Sequence, residues 1–180
     1  MAIYTKTGDT GMTSLANGER LLKSDLRIDT YGVCDELNSW VGYLRASIAM
    51  SSLLEEQYTQ LLWVQNKLFN LGALLSKAPG DWIAVADVEE VEHWIDAMQQ
   101  ALPIQRSFIL PAGGETVCRC HLCRTVCRRL ERKMILLGVE GDALKFVKEN
   151  DTCTILSYKG SVFGVEAPNF VDLEVTKTEP

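Results

Sequence analysis

The chain has 180 residues, of which 47% are hydrophobic, and its formal net charge at pH 7 is −6. This length and composition suit one compact domain that spans residues 1–180 and has a core of its own. The acidic balance argues against nucleic acid as a partner, because a nucleic-acid-binding surface is basic. No stretch approaches the roughly 20 consecutive apolar residues of a membrane span. The first ten residues lack the apolar region of an export signal, so the expected location is the cytoplasm and no membrane contact is expected.

The first 24 residues are predicted to form a loop segment that can bind an anion. The stretch from Thr5 to Ser14 combines glycines, hydroxyl side chains and a lysine. Glycines let backbone N–H groups approach an anion, hydroxyls donate hydrogen bonds, and Lys6 supplies positive charge. Arg20 and Lys23 add further basic charge. The stretch is not a Walker P-loop, since no Gly-Lys-Ser/Thr sequence follows at the required spacing, and the same composition also occurs in ordinary turns.

Apolar side chains then recur at intervals of three and four residues, which predicts amphipathic helices. The predicted helices cover residues 25–49, 52–77, 87–102 and 113–137. Ser52 with Glu55, and Asp87 with Glu90, match the capping box that opens a helix. Short connections between four such helices indicate an antiparallel bundle.

The C-terminal part of the chain is less regular in its pattern. Residues 143–148 are predicted to form a fifth helix, and residues 152–158 have the composition of a short strand. The bundle is therefore assigned to residues 25–158, and residues 159–180 are predicted to be an irregular tail.

The helix predicted over 113–137 is the most informative element. Its apolar stripe consists of Cys120, Cys123, Cys127, Leu130, Met134 and Leu137. Beside the stripe are His121, Arg124, Arg128, Glu131 and Arg132. Guanidinium groups one turn apart on a rigid helix suit phosphate recognition, whereas a solvated charged face is the alternative interpretation.

The cysteines of this helix could also be considered as metal ligands. Cys120 and Cys123 form a CxxC pair next to His121, with Cys118 and Cys127 nearby. Zinc sites usually take a CxxC pair from a loop and need a second pair of ligands elsewhere. Because these cysteines follow the apolar stripe, we expect them to pack in the core, and no metal ligand is assigned.

Four stretches in order carry a resemblance to a known family. They are TKTGDTGMTSL (5–15), ERLLKSD (19–25), RIDTYGVCDELNSWVG (27–42) and FILPAGG…CHLCRTVCRRLER (108–132). Together they resemble the PduO-type ATP:cob(I)alamin adenosyltransferases. The resemblance implies an all-α fold, a five-helix antiparallel bundle. It also implies transfer of the 5′-deoxyadenosyl group of ATP to cob(I)alamin with release of triphosphate, in the presence of Mg²⁺.

The resemblance further implies a homotrimer with ATP at each subunit interface, a reductase partner and an adenosylcobalamin-dependent enzyme that takes the product. The positions that match the family's ATP contacts in the loop are Thr5, Lys6, Thr7, Gly8, Thr13, Ser14 and Lys23. On the helix predicted over 113–137, Arg128 matches the arginine on the triphosphate. Arg129, Glu131 and Arg132 complete the same motif.

Three further positions match residues that support the reaction in the family. Asp35 and Arg124 correspond to an ion pair across the subunit interface. Phe108 corresponds to an aromatic residue that displaces the lower ligand of the corrinoid. The resemblance thus assigns Arg128, Phe108, Asp35 and Arg124 to catalysis.

The fifth helix departs from the family pattern, which has an Asn-Arg-Leu-Ser-Asp motif whose Asn contacts ATP. Here Lys148 aligns with that Asn without a gap, and Asn150 aligns only if two residues are inserted. Two alternatives to the enzyme therefore stay open. One is a non-catalytic relative that binds ATP or a corrinoid as a carrier or regulator, and the other is a helical metal or redox protein that uses the cysteines.

Overall fold

The computed structural model describes residues 6–51, 54–100, 102 and 110–149. A short antiparallel hairpin of β1 (Met12–Ser14) and β2 (Arg20–Leu22) precedes five helices. The helices are α1 (Leu26–Ile48), α2 (Glu55–Leu75), α3 (Val85–Gln100), α4 (Glu115–Leu136) and α5 (Asp142–Glu149). The predicted five-helix bundle is confirmed, and the hairpin is an addition to it.

Helix α1 begins where its sequence provides a cap. The Asp25 carboxylate accepts a hydrogen bond from the backbone N–H of Arg27 at 2.8 Å, as expected of an N-cap residue. The buried side chains of α1 recur at helical spacing and are Thr30, Val33, Cys34, Leu37, Val41, Leu44 and Ile48. This broad buried face lets α1 pack against both α2 and α4, so α1 is the central helix of the bundle.

Helices α1 and α2 pack closely enough to exchange hydrogen bonds. The Asn38 side chain donates to the Gln65 carbonyl, and the Gln65 side chain donates to the Asn38 carbonyl, each at 3.2 Å. Where α1 begins and α2 ends, the Arg27 guanidinium donates to the Leu75 carbonyl at 3.1 Å. This contact satisfies a free carbonyl in the last turn of α2 with a positive charge.

Aromatic side chains pack α3 and α5 onto α2. The rings of Trp63 and Trp94 meet edge to face with centroids 5.0 Å apart, and Phe146 lies 6.1 Å from Trp63. The Lys67 ammonium adds an ion pair to Asp87 at 2.5 Å. Because Phe146 is completely buried, the eight residues of α5 contribute a core side chain to the bundle.

Two predicted helix starts were wrong. Helix α3 begins at Val85, so Asp87 is the third helical residue and its carboxylate accepts from the Ala84 backbone N–H at 2.9 Å. The acid therefore caps the helix from within its first turn. Helix α2 has Leu54 as its N-cap residue, without a side-chain cap, and the Leu54 N–H donates to the Ser51 carbonyl at 3.1 Å. Ser52, the predicted cap, lies outside the described residues.

The first 24 residues were predicted to be a loop, and the described part of this segment contains the β1–β2 hairpin instead. Ser14 pairs with Arg20, and Gly18 turns the chain at a φ of +86°. The hairpin is attached to the end of α2 by the Ala16 N–H, which donates to the Ser76 carbonyl at 3.0 Å. Strands of three residues are too short to show the alternation that predicts a strand.

The fifth helix predicted over 143–148 is confirmed as α5. The predicted strand at 152–158 and the predicted tail at 159–180 lie outside the described residues. Within the described ranges, no helix combines the length and apolar character needed to cross a membrane.

Replacing Leu71 should test the core at the α2 face. Leu71→Ala should lower the free energy of unfolding by roughly 2–5 kcal/mol, because it removes a fully buried side chain and leaves a cavity. Leu62→Ala on the same helix is the control, since Leu62 is exposed, and its effect should stay within about 0.5 kcal/mol. Urea unfolding followed by circular dichroism measures both; equal losses would contradict this core.

Candidate active site

The loop before β1 is folded back on the hairpin by cationic side chains. The Arg20 guanidinium donates to the Thr7 carbonyl at 3.0 Å and to the Ser14 hydroxyl at 3.4 Å. The Lys23 ammonium lies 3.1 Å from the position that a Cβ on Gly8 would occupy. The structure thus brings together four of the predicted ATP-contact residues, with two cations at one place.

The absence of a side chain at Gly8 has a direct consequence here. A methyl group at this position would press on the Lys23 side chain and on the Met12 carbonyl, which lies 3.3 Å from the Cβ position. Backbone and ammonium can approach one anion together only while this space stays free. Thr13, also predicted to contact ATP, lies in β1 opposite Leu21.

Lys6 precedes this cluster in an unusual backbone conformation. Its φ is +57°, in the left-handed region that residues other than glycine seldom adopt. Its side chain is exposed, so its charge is accessible at the start of the loop. Such backbone conformations are concentrated at ligand sites, where the surrounding structure maintains them.

The arginine row of α4, which consists of Arg124, Arg128 and Arg132, lies beside a buried apolar stripe, as predicted. Arg128 and Arg132 are exposed, and Arg124 and Glu131 are partly buried. The core side chains of the same helix are Val117, Cys120, Cys123, Val126, Cys127, Leu130 and Met134, together with His121. Because Arg128 directly follows the buried Cys127, packing of the stripe determines where its guanidinium can reach.

The remaining arginine of the motif, Arg129, turns towards α1 and forms an ion pair with Glu36. One turn further along α4, Lys133 pairs with Asp29 of α1. In one chain, therefore, Arg129 takes part in joining the two helices.

Asp35 and Arg124 are not brought together within a single chain. Asp35 is exposed on α1, and in the described part of the chain neither its carboxylate nor the Arg124 guanidinium forms an ion pair. Both groups therefore have charge available for another molecule.

The predicted packing of the cysteines is confirmed. Cys120, Cys123 and Cys127 are at most 2% exposed. Cys34 is also buried, and burial, followed by the negative charge of Asp35, raises the pKa of its thiol to about 12. Over the described ranges, no group of three His, Cys, Asp or Glu side chains is placed to hold a metal ion.

His121 was predicted to lie on the flank of α4 with the arginines. Its side chain is instead buried, with only 6% of its surface exposed. Among the residues that the structure describes, neither ring nitrogen has a hydrogen-bond partner. Burial, and then the positive charge of Arg124, lowers the pKa of the imidazole below its ordinary value. The neutral form is therefore favoured in the folded protein.

Three of the assigned residues, Thr5, Phe108 and Asn150, lie outside the described residues. Of the two candidates for the fifth-helix contact, Lys148 is in α5 with an exposed side chain, near Glu149 at 3.7 Å. Arg20 was predicted as one of the basic charges of this loop, but it was not assigned to the ATP contacts. The Asn17-Gly18 pair is a hairpin signal that would have placed Arg20 on a strand beside the loop. The observed hairpin has a three-residue connection over 16–18, with Gly18 in the left-handed region, and it pairs Ser14 with Arg20.

Comparison with known proteins shows which family the chain belongs to. A sequence model of the family described as cobalamin adenosyltransferase matches residues 3–155. A cobalamin adenosyltransferase of Cupriavidus metallidurans is 40% identical over 136 residues, which cover 76% of this chain and 72% of that protein. A corrinoid adenosyltransferase of Bacillus subtilis is 36% identical over 140 residues, with the same coverage of both chains.

A solved structure is also similar over most of its length. A variant of the PduO-type ATP:corrinoid adenosyltransferase from Lactobacillus reuteri, complexed with cobalamin and ATP, superposes with a TM-score of 0.80 and 30% identity. The match covers 89% of this chain and 94% of that one. The chain belongs to the cobalamin adenosyltransferase family. The four sequence motifs predicted this family, and that prediction is confirmed.

The buried His121 should make stability depend on pH. Its folded-state pKa lies below the unfolded value, so the unfolded chain binds the proton more tightly, and stability should fall as pH drops below about 6.5. His121→Gln should flatten this part of the profile, measured as Tm between pH 5 and 8. The other histidine of the chain, exposed His93, provides the control His93→Gln, which should leave the profile unchanged. A wild-type profile in His121→Gln would contradict this role.

Proposed function

We propose that the chain transfers the 5′-deoxyadenosyl group of ATP to cob(I)alamin and releases triphosphate. The observation that carries this proposal is the likeness to a PduO-type enzyme complexed with cobalamin and ATP, at a TM-score of 0.80. The loop that gathers Gly8, Lys23 and Arg20, and the arginine row on α4, supply cationic groups that suit a polyphosphate.

The reaction requires little covalent chemistry from the protein itself. The cobalt of cob(I)alamin is the nucleophile: it forms the Co–C5′ bond while the C5′–O bond breaks and the electron pair leaves with triphosphate. The protein needs no general base to generate this nucleophile. Its work is to hold C5′ towards the cobalt and to stabilise the charge of the leaving group.

The loop residues are proposed to hold the triphosphate. Thr5, Thr7, Thr13 and Ser14 would donate hydroxyl or backbone hydrogen bonds, and Lys6 and Lys23 would supply charge around the open backbone at Gly8. The left-handed Lys6 and the close approach of Lys23 to Gly8 support this assignment, since both depart from what an ordinary surface turn requires.

The helix residues are proposed to stabilise the departing charge. Arg128 would contact the triphosphate, with Arg132 one turn further on. Arg129, Glu131 and one of Lys148 or Asn150 complete the proposed ATP contacts. The ion pair of Arg129 with Glu36 would keep this part of α4 in place when ATP enters.

Mg²⁺ is proposed to accompany the nucleotide. Magnesium in such sites is bound through substrate phosphates with one or two carboxylates. Glu131 is the carboxylate next to the arginine row and is partly buried. This fits an ion that arrives with ATP, where it would neutralise phosphate charge.

The proposed subunit arrangement rests on two charged residues, Asp35 and Arg124. We propose a homotrimer in which Asp35 of one subunit pairs with Arg124 of the next, because neither group forms an ion pair with any residue that the structure describes in one chain. The paired side chains would border the ATP site. Phe108, whose surroundings are not described, is proposed to displace the lower corrinoid ligand.

The cellular setting is also a proposal. The cysteines buried on the core face of α4 suit the reducing cytosol, where a reductase would supply cob(I)alamin and an adenosylcobalamin-dependent enzyme would take the product.

Adenosylation by the purified chain is the first test. With ATP, Mg²⁺ and chemically reduced cob(I)alamin under anaerobic conditions, the adenosylcobalamin spectrum should appear together with triphosphate. Arg128→Ala should lower kcat/KM by about 10²–10³-fold, the loss seen when a donor to developing charge is removed. Lys133→Gln, which removes the ammonium paired with Asp29 on the same helix, is the control and should stay within about threefold.

Two outcomes would contradict these assignments. ATP binding without turnover by the wild-type chain would favour the non-catalytic carrier. Full turnover by Arg128→Ala would remove Arg128 from the site.

Charge reversal should test the intersubunit pair. Asp35→Arg or Arg124→Asp alone should lower activity by about tenfold or more and weaken the oligomer, because each places like charges together. The double variant Asp35→Arg/Arg124→Asp should recover part of both losses. Sedimentation velocity and kcat/KM measure the two effects; additive losses in the double variant would show that the groups do not pair.

A further inference from the structure

Arg20 is absent from the ATP contacts that the family motifs assign, yet it links two of them. One terminal nitrogen of its guanidinium donates to the Thr7 carbonyl at 3.0 Å, and the other donates to the Ser14 hydroxyl at 3.4 Å. Thr7 lies before β1 and Ser14 is its last residue. A single side chain of β2 therefore joins both ends of the loop.

The hydrogen bond from Arg20 to the Thr7 carbonyl acts on a strained part of the backbone. Thr7 follows Lys6, whose φ of +57° is unfavourable for a residue with a side chain. A charged donor on the Thr7 carbonyl fixes the peptide that follows, and so favours this conformation of the loop over more extended ones.

The link to Ser14 has a chemical consequence. A hydroxyl has one donor and two acceptor positions, and here Arg20 occupies an acceptor position. The hydroxyl hydrogen of Ser14 must then point elsewhere, where it can donate to an anion. Arg20 thereby makes the Ser14 hydroxyl a hydrogen-bond donor towards a ligand.

The guanidinium is itself held in place relative to the bundle. Arg20 pairs with Ser14 across the hairpin, and the hairpin is fastened to the end of α2 through Ala16 and Ser76. Both terminal nitrogens already have acceptors in the loop. This arrangement favours an organising role for Arg20 over service as an additional phosphate ligand.

We propose that Arg20 is a positioning residue that arranges Thr7, Gly8 and Ser14 for the triphosphate of ATP before the nucleotide binds. The inference rests on the proposed function, since it takes the loop as the triphosphate site. Its distinctive requirement is the forked geometry of a guanidinium, because an ammonium is a point charge that does not reproduce two directed bonds.

The test compares Arg20→Ala and Arg20→Lys with the wild-type chain. Both variants should raise KM for ATP by about tenfold, the size expected when charge-assisted hydrogen bonds that preorganise a site are lost. The kcat and the KM for cob(I)alamin should change by less than about twofold. Amide hydrogen exchange of residues 7–14 in the absence of nucleotide should become faster in Arg20→Ala, while exchange in α1 and α4 stays as in the wild type.

A matched control is available where the hairpin meets the end of α2. Lys77→Gln removes the exposed ion pair between Lys77 and Glu19, at 2.6 Å, and leaves the Arg20 contacts in place. Both KM for ATP and loop exchange should match the wild type. The double variant Arg20→Ala/Ser14→Ala should lose less than the sum of its single variants, because Arg20 acts partly through Ser14.

Two results would overturn the proposal. Recovery of the wild-type KM in Arg20→Lys would mean that charge alone suffices, and unchanged loop exchange in Arg20→Ala would mean that Arg20 does not order the loop. If Arg20→Ala does not fold, Arg20→Lys decides by the same two readouts. If the wild-type chain does not adenosylate cob(I)alamin, the proposed function fails, and loop exchange with the affinity for inorganic triphosphate still decides the role of Arg20.

Discussion

The antiparallel pairing of α1 with α4 is the constraint on which the rest of the structure depends. Buried apolar side chains of both helices form its centre, and the Asp29–Lys133 and Glu36–Arg129 ion pairs follow its edge. The hydrophobic contact supplies most of the stability, while the charges select one register and direction. Once this register is set, the start of α1, the end of α4 and the hairpin lie at the same end of the bundle.

Helix α4 carries both core side chains and candidate site residues, so the packing of the core and the position of the site residues depend on each other. Cys123 precedes Arg124 and Cys127 precedes Arg128, so each partly or fully exposed guanidinium has a buried neighbour in the chain. A rotation of the helix that improved the packing of one set would misplace the other. The rigid placement of charge that phosphate chemistry needs is thus a by-product of core packing.

Much of the fold could be predicted because long helices repeat their signal. The apolar stripe of α4 and the capped start of α1 at Asp25 are encoded by local spacing. The hairpin was missed because three-residue strands hold too little pattern, and the start of α3 was misplaced because Asp87 caps the helix from inside it. Burial of His121 depends on what packs against α4, which local sequence does not encode.

The site was predicted less from spacing than from the resemblance to a family. Glycines, hydroxyls and a lysine are equally compatible with a plain turn, and only the fold shows Lys23 against Gly8 and Arg20 across the loop. The proposed Asp35–Arg124 pair is beyond a single sequence for a different reason. An intersubunit contact is a property of the assembly, and one chain contains only its two halves.

The attachment of α5 bears on how the chain could be shortened or divided. Phe146 fills the space beside Trp63, and the Cys127 thiol donates to the Val147 carbonyl at 3.1 Å. Eight residues cannot form a stable helix alone, so α5 exists only on this surface. An expression fragment ending before Phe146 would leave tryptophan rings facing water. The exposed Pro79–Asp81 turn is the better place to cut for a two-fragment version of the protein.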